Sequence, residues 1–222
     1  MNETNNIYGI GLMELFYGGL FLNKGDGKGA VEHFRRAAQC LEKSQAVAFL
    51  GTAWSFLGYG TYLMGESDTA LQYMEKGLKI QTDIGLPSWL SAHYWCLGMI
   101  YCRLDDLQKA RASAERALEL SQENNERQWE GFSRILLGRI VGRLDRSKVE
   151  TAENQIREGM NILDELRFRP FYSVGHFYLG ELYADKRREP EALENLKKAE
   201  SMFQEMGMDY WLGKTREVLA RL

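Results

Sequence analysis

His93, Cys96 and Cys102 are the residues whose types and closeness come nearest to a metal-ligating set. Imidazole and thiolate are the ligands zinc prefers. A helix turns by about 100° per residue, so Cys102 points roughly opposite to His93, with Cys96 to another side. One ion cannot collect them without help from elsewhere, and ordinary packing of medium-sized side chains is expected. His33 and His176 have no acidic or nucleophilic partner at a suggestive spacing, and carboxylates such as Asp164 and Glu165 fall in scattered runs that read as solvated faces. The run Lys24-Gly25-Asp26-Gly27-Lys28-Gly29 has the glycines of a phosphate-binding loop. Such a loop follows a strand and places Ser or Thr after its lysine, and neither condition is met, so the run is expected to be an interhelix turn. No catalytic residue, metal site or cofactor is expected.

The elements that would carry any site are repeated. Gly18, Gly58, Gly98 and Gly138 stand forty residues apart, and Gly180 follows after forty-two. Ala30, Ala70, Ala110, Ala152 and Ala192 keep that step, as do the aromatic column Phe49, Trp89, Trp129, Phe171, Trp211 and the leucine column Leu57, Leu97, Leu137, Leu179, Leu219. A period in this range marks a solenoid of stacked helical units, in which small residues let two antiparallel helices approach closely.

Composition agrees. The 222 residues hold three prolines and a net charge of −3, with both signs interspersed, which favours helix and gives no reason to expect nucleic-acid binding. Three cysteines at irregular spacing do not form a disulfide framework, so a reducing, cytoplasmic setting is expected. The longest apolar stretch, Ile7 to Leu22, contains Glu14 and four glycines and is too short for a convincing membrane span.

Taken in order, one repeat domain over 1–222 divides into units 7–44, 45–85, 86–125, 126–167 and 168–207, with a capping helix at 208–222, about 11 helices in all. Residues 1–6 are polar and expected to fray. The first helix, Ile7 to Asn23, is apolar on nearly every side, unlike the polar outer face a terminal repeat needs. Ile10, Leu12, Met13, Leu15 and Phe16 are therefore candidates for self-association, or for covering by further repeats upstream in a longer protein; the third reading is a Gly-rich helix that is simply poorly ordered. Ser67 or Asp68 can cap the second helix of unit two, and Asp105 or Asp106 that of unit three. Pro87 is placed at the opening of unit three, and Gly85, Asn125 and Gly207 at helix ends. Arg167 breaks that last column, so unit four is expected to end differently. Lys214, Arg216, Glu217 and Arg221 give the final helix a polar side.

The third unit carries Tyr94, Leu97, Gly98, Tyr101, Ala110 and Ala117, and the fifth Leu179, Gly180, Tyr183, Ala192, Leu196 and Ala199. This pattern resembles the tetratricopeptide repeat, with a period of forty in place of about 34. The resemblance implies an all-α, right-handed superhelix of antiparallel helix pairs. Its long repeats, and the ending Met206-Gly207-Met208-Asp209-Tyr210-Trp211-Leu212, are similar to helical segments of bacterial signalling ATPases, cyclase-linked ATPases and ATP-dependent transcription activators. The family's groove positions fall here on Tyr59, Tyr62, Trp95, Met99, Arg103, Phe132, Arg139, Arg143, Phe177 and Glu181. Aromatic residues beside arginines suit an acidic peptide or protein segment, since Arg pairs bidentately with carboxylate. Trp95, Met99 and Phe132 equally fit a core between neighbouring helices, and the arginines a plain surface. The expected function is a non-catalytic interaction scaffold. The alternative is a ligand-sensing or regulatory segment of a larger signalling ATPase, cyclase or transcription activator.

Overall fold

The computed structural model describes residues 3–222, with side chains from residue 6 onward. Its elements are α1 (Glu3–Lys24), α2 (Gly27–Lys43), α3 (Val47–Leu63), α4 (Ser67–Asp83), α5 (Leu90–Arg103), α6 (Leu107–Glu123), α7 (Arg127–Leu144), α8 (Val149–Glu165), α9 (Arg169–Asp185), α10 (Glu189–Met206) and α11 (Asp209–Leu219). Each odd-numbered helix from α1 to α9 pairs with the even-numbered helix after it, each pair stacks on the next, and α11 packs on the last pair, so the described residues form an all-helical solenoid. Residues 3–6, expected to fray, are already helical, while Met1 and Asn2 lie outside the described residues.

The small-residue columns have a steric cause. At Gly58 and Gly138 a Cβ would lie 2.7 and 2.6 Å from the carbonyl oxygens of Ala70 and Ala152, closer than such atoms pack. In these two units the glycine and alanine columns are one contact where the two helices cross, whereas Gly18, Gly98 and Gly180 make room chiefly for Phe34, Leu136 and Leu196. Leu57, Leu97, Leu136, Leu179 and Ile140 fill the buried layer between units.

The turns follow two further columns. Gly25, Gly65, Asp105 and Arg187 end odd-numbered helices with positive φ, and Gln45, Gly85, Asn125, Arg167 and Gly207 end even-numbered ones. Arg167, expected to break its column, instead takes φ 54°, because the path of the chain into α9 requires a left-handed residue whatever its side chain. The two residues that lengthen one step to forty-two fall between Gly138 and Ala152, and they replace the left-handed turn after α7. Asp145 is extended there, and its carboxylate accepts from the backbone N–H of Ser147 at 2.8 Å.

Two start signals fall elsewhere than expected. The N-cap of α4 is Glu66, with Ser67 already helical. Helix α5 begins at Leu90, not at Pro87: Trp89 takes φ 69°, and the Gln81 amide donates to the carbonyls of Leu86 (3.2 Å) and Ser88 (2.9 Å), which holds residues 86–89 as a loop. Asp106 caps α6, accepting from Lys109 N–H at 3.2 Å. Asp26 caps α2, accepting from Gly29 N–H at 2.9 Å, so the glycine run is an interhelix turn and a helix start.

Curvature brings the two ends of the solenoid together. Helix α1 touches α9, and a Cβ on Gly25, in the turn after α1, would lie 3.1 Å from atoms of both Tyr210 and Trp211. The inner face is thereby narrowed to a small interior.

Candidate functional site

Two openings lie on the inner face, both lined by odd-numbered helices and residues immediately flanking them. One, of about 620 Å³, sits at the C-terminal ends of α3, α5, α7 and α9 and against α11. The other, of about 280 Å³, sits at the N-terminal halves of α3, α5, α7 and α9 under α1. The residues expected to form one groove are divided between them. Tyr62, Arg103, Arg139, Arg143, Phe177 and Glu181 border the larger opening, Tyr59, Trp95 and Phe132 the smaller, and Met99 borders neither.

The uncharged members of that set are not displayed as a groove surface. Tyr59, Tyr62, Trp95, Met99, Phe132 and Phe177 are all at most 3% exposed. The reason is the tight curvature: the ring of Trp95 packs against Tyr59 (5.1 Å), Phe132 (5.7 Å) and Phe171 (5.3 Å), so neighbouring units fill the inner face with one another's aromatic rings. Trp95 Nε1–H also donates to the Phe132 carbonyl at 3.1 Å, and the Tyr178 hydroxyl reaches Met99 Sδ at 3.8 Å. Burial pushes the phenols of Tyr59, Tyr62 and Tyr178 well up, so they stay neutral hydrogen-bonding groups.

The arginines are fixed by the same curvature. Arg103, in the last turn of α5, donates to the Tyr62 carbonyl at the end of α3 and to the Tyr210 hydroxyl, with its guanidinium 3.8 Å from the Tyr62 ring. Forty residues on, Arg143 donates to the Cys102 carbonyl at 2.9 Å, near the end of α5, and to Asp105 at 2.9 Å. Arg143 thus reaches a carbonyl with no backbone donor, while the Tyr62 carbonyl also accepts from the N–H of Gly65 at 2.9 Å, and at both helix ends the helix dipole favours a cation. This stapling role was missed in the sequence, although the forty-residue spacing of Arg103 and Arg143, matched by that of Tyr62 and Cys102, carries its signal.

Arg139 lies between the two staples. It meets Glu181 through Nε (3.0 Å) and Nη2 (3.3 Å), and its guanidinium stands 4.2 Å from the Tyr178 ring. Burial opposes its charge, but Glu181, with Tyr178, Cys102 and Tyr62, outweighs that and holds its pKa above the ordinary value. Arg103, Arg139, Arg143, Lys214 and Arg221 together with Glu181, Asp185 and Glu217 border the larger opening, five basic side chains against three acidic ones. It is a basin with a positive balance, walled by Phe177, Tyr210 and Trp211.

The histidines and cysteines go their separate ways. His33, expected to lack an acidic partner, meets Glu14 of α1 at 2.5 Å from Nδ1, a pairing set by packing across nineteen residues. Its ring stacks on Phe21 and Tyr17. His93 is fully buried with Nδ1 2.6 Å from the Trp89 carbonyl, and burial lowers its pKa. Cys102 accepts from Arg143 at 3.0 Å, and burial raises the Cys96 thiol far above its ordinary range. His176 pairs with Asn195 at 2.9 Å. Among the described residues no helix is long and apolar enough to cross a membrane.

Stacked antiparallel hairpins with a small-residue crossing in each unit, curved round an inner face that ends in a basic basin, define a helical-repeat solenoid. Residues 89–165 match the family model of the tetratricopeptide repeat, and the other hairpins continue that geometry, so the fold is that of a tetratricopeptide-repeat solenoid. Curated proteins give no match. Among solved structures it is similar to a Rap protein in complex with Competence and Sporulation Factor (TM-score 0.74, 18% identity, 93% of this chain and 58% of that one). It is also similar to aspartyl phosphate phosphatase F from Bacillus subtilis (TM-score 0.62, 15% identity, 95% of this chain and 59% of that one). A third likeness is to the repeats of a putative kinesin light chain from Podosopora anserina (TM-score 0.57, 16% identity, 93% and 99%). At these identities the likeness is one of fold. The chain spans under two thirds of the length of the first two.

Proposed function

We propose that this chain is a non-catalytic interaction module that holds an acidic segment of a peptide or protein in the basin bordered by Arg139, Arg143, Lys214 and Arg221. The single observation that carries the reading is the excess of basic side chains round an open cavity whose walls are already fixed. Arg103 and Arg143 are held by carbonyls and Arg139 by Glu181, so little side-chain freedom remains to be lost when a carboxylate arrives. Arg143 keeps donors beyond those used on Cys102 and Asp105, and its side chain is 34% exposed. The solved complex of a Rap protein with Competence and Sporulation Factor supports the reading at the level of fold: a solenoid of this kind accommodates a partner.

The test is fluorescence anisotropy with a panel of labelled peptides rich in Asp and Glu, neutral, or rich in Lys. Wild-type protein is compared with a variant carrying Arg143→Gln, Lys214→Gln and Arg221→Gln, with circular dichroism confirming equal helix content. Acidic peptides alone should bind, more weakly as salt rises, and the variant should lose about tenfold or more, as expected for charge-assisted hydrogen bonds. Equal affinity for all three peptide classes, or an unchanged affinity in the variant, would remove the basin from the reading.

A further inference from the structure

Helix α1 shows solvent an apolar face that none of the other described residues covers. Ile10, Met13, Phe16, Tyr17 and Leu20 are all exposed, Phe16 at 66% and Leu20 at 61%. At about 100° per residue, Gly9, Phe16, Leu20 and Met13 fall within an arc of roughly 60°. No charged side chain lies in that arc: Glu14 points away to His33 and Arg36. In the inner units the residues forty places on are buried against the preceding hairpin, as with Ala53, or with His93, Cys96 and Ile100.

A preceding hairpin of the same repeat is nonetheless a poor fit for this face. The aromatic column Phe49, Trp89, Trp129, Phe171 and Trp211 reaches, one period earlier, Gly9. The bulk has moved instead to Met13, where the inner counterparts are Ala53, His93, Ser133 and Gly175. A Cβ on Gly9 would meet nothing within 4 Å. The face therefore has a hole at one end and bulk in the middle and at the other end, and it departs from the inner pattern at both.

We propose that a second copy of this chain covers the face, with the two α1 helices packed antiparallel about a two-fold axis between Glu14 and Leu15. That register lays Leu20 over Gly9 of the partner subunit and Met13 over Phe16 of the partner subunit, so the bulk at one end of each helix fills the hole at the other. A two-fold contact is self-complementary in this way by construction, each pairing occurring twice. One helix face per subunit is small for an interface, which sets the dimer in the micromolar range, on the order of 1–100 μM. Phe16 and Leu20 also border the smaller, aromatic-lined opening, so the partner's helix lies across its mouth.

Sedimentation equilibrium of the chain from about 1 to 100 μM tests this, the range bracketing the expected affinity. Wild type should move from monomer to dimer and no further. Phe16→Glu should stay monomeric. Gly9→Leu should weaken the dimer tenfold or more by filling the hole, while leaving the dilute monomer at least as stable, because its Cβ meets nothing there. A monomer at every concentration overturns the proposal and returns the face to a preceding hairpin. Open-ended assembly overturns it as well, and so does a dimer indifferent to Gly9→Leu, which would refute the register.

Discussion

The two terminal helices, α1 and α11, face the same problem of ending a stack and solve it differently. Helix α11 buries Trp211 and Thr215, pairs Arg216 with Glu200 at 3.1 Å on its outer side, and sets Lys214 and Glu217 at the border of the basin. Trp211 reaches the rings of Phe177, Tyr178 and Phe203, and the Tyr210 hydroxyl accepts from Arg103. Helix α1 buries Leu15 and Leu22 but leaves an apolar face outside. A polar outer face ends an array, whereas an apolar one asks for a further layer. The difference shows that being last in the stack does not by itself make a cap, since the residues on the outer face decide it.

The largest effect should break the C-terminal cap. Trp211→Ala removes a side chain that touches α9 and α10, and should cost about 3–5 kcal/mol, as large-to-small core changes do. In a stacked array that loss should appear first as fraying of α11, seen as faster amide exchange over residues 209–219. Protection of α11 equal to wild type would mean that the cap does not depend on Trp211. By contrast, Phe16→Ala at the other end should change the stability of the dilute monomer by less than about 0.5 kcal/mol, because an exposed ring has few contacts to lose. Urea titration at submicromolar protein reads that difference directly.

Neighbouring glycines of α1 sharpen the contrast between its two faces. Gly18→Ala would place a Cβ 2.8 Å from the Phe34 ring and should destabilise by about 1–3 kcal/mol. Gly19→Ala meets nothing within 4 Å and should stabilise the monomer by about 0.5–1 kcal/mol through helix propensity. Thermal midpoints moving in the same direction for both would mean that the packing of α1 on α2 is misassigned. The smallest effect lies between the ends. Arg167→Gly should gain up to about 1 kcal/mol at its left-handed position, and Gly207→Ala should lose about as much, because only glycine takes that conformation without strain. Opposite signs in paired urea titrations are the expected outcome.

What the sequence determined by itself is the local and periodic part of this protein. A glycine at a close helix approach every forty residues, or an interhelix turn at Gly25, depends only on neighbours one or two helices away, so periodicity reveals it. Arg167 shows the limit even there, because the backbone path through a turn outweighed the preference of the side chain. The rest was decided by curvature, which sums small rotations over every unit and cannot be read from any one of them. Curvature buried Tyr59, Trp95 and Phe132 in a closed inner face, turned Arg103 and Arg143 into staples on the preceding helix, and brought Gly25 against Trp211. It also joined Arg139 to Glu181, which meet only when whole units stack, whereas His33 and Glu14 meet through the packing of the two helices of the first hairpin.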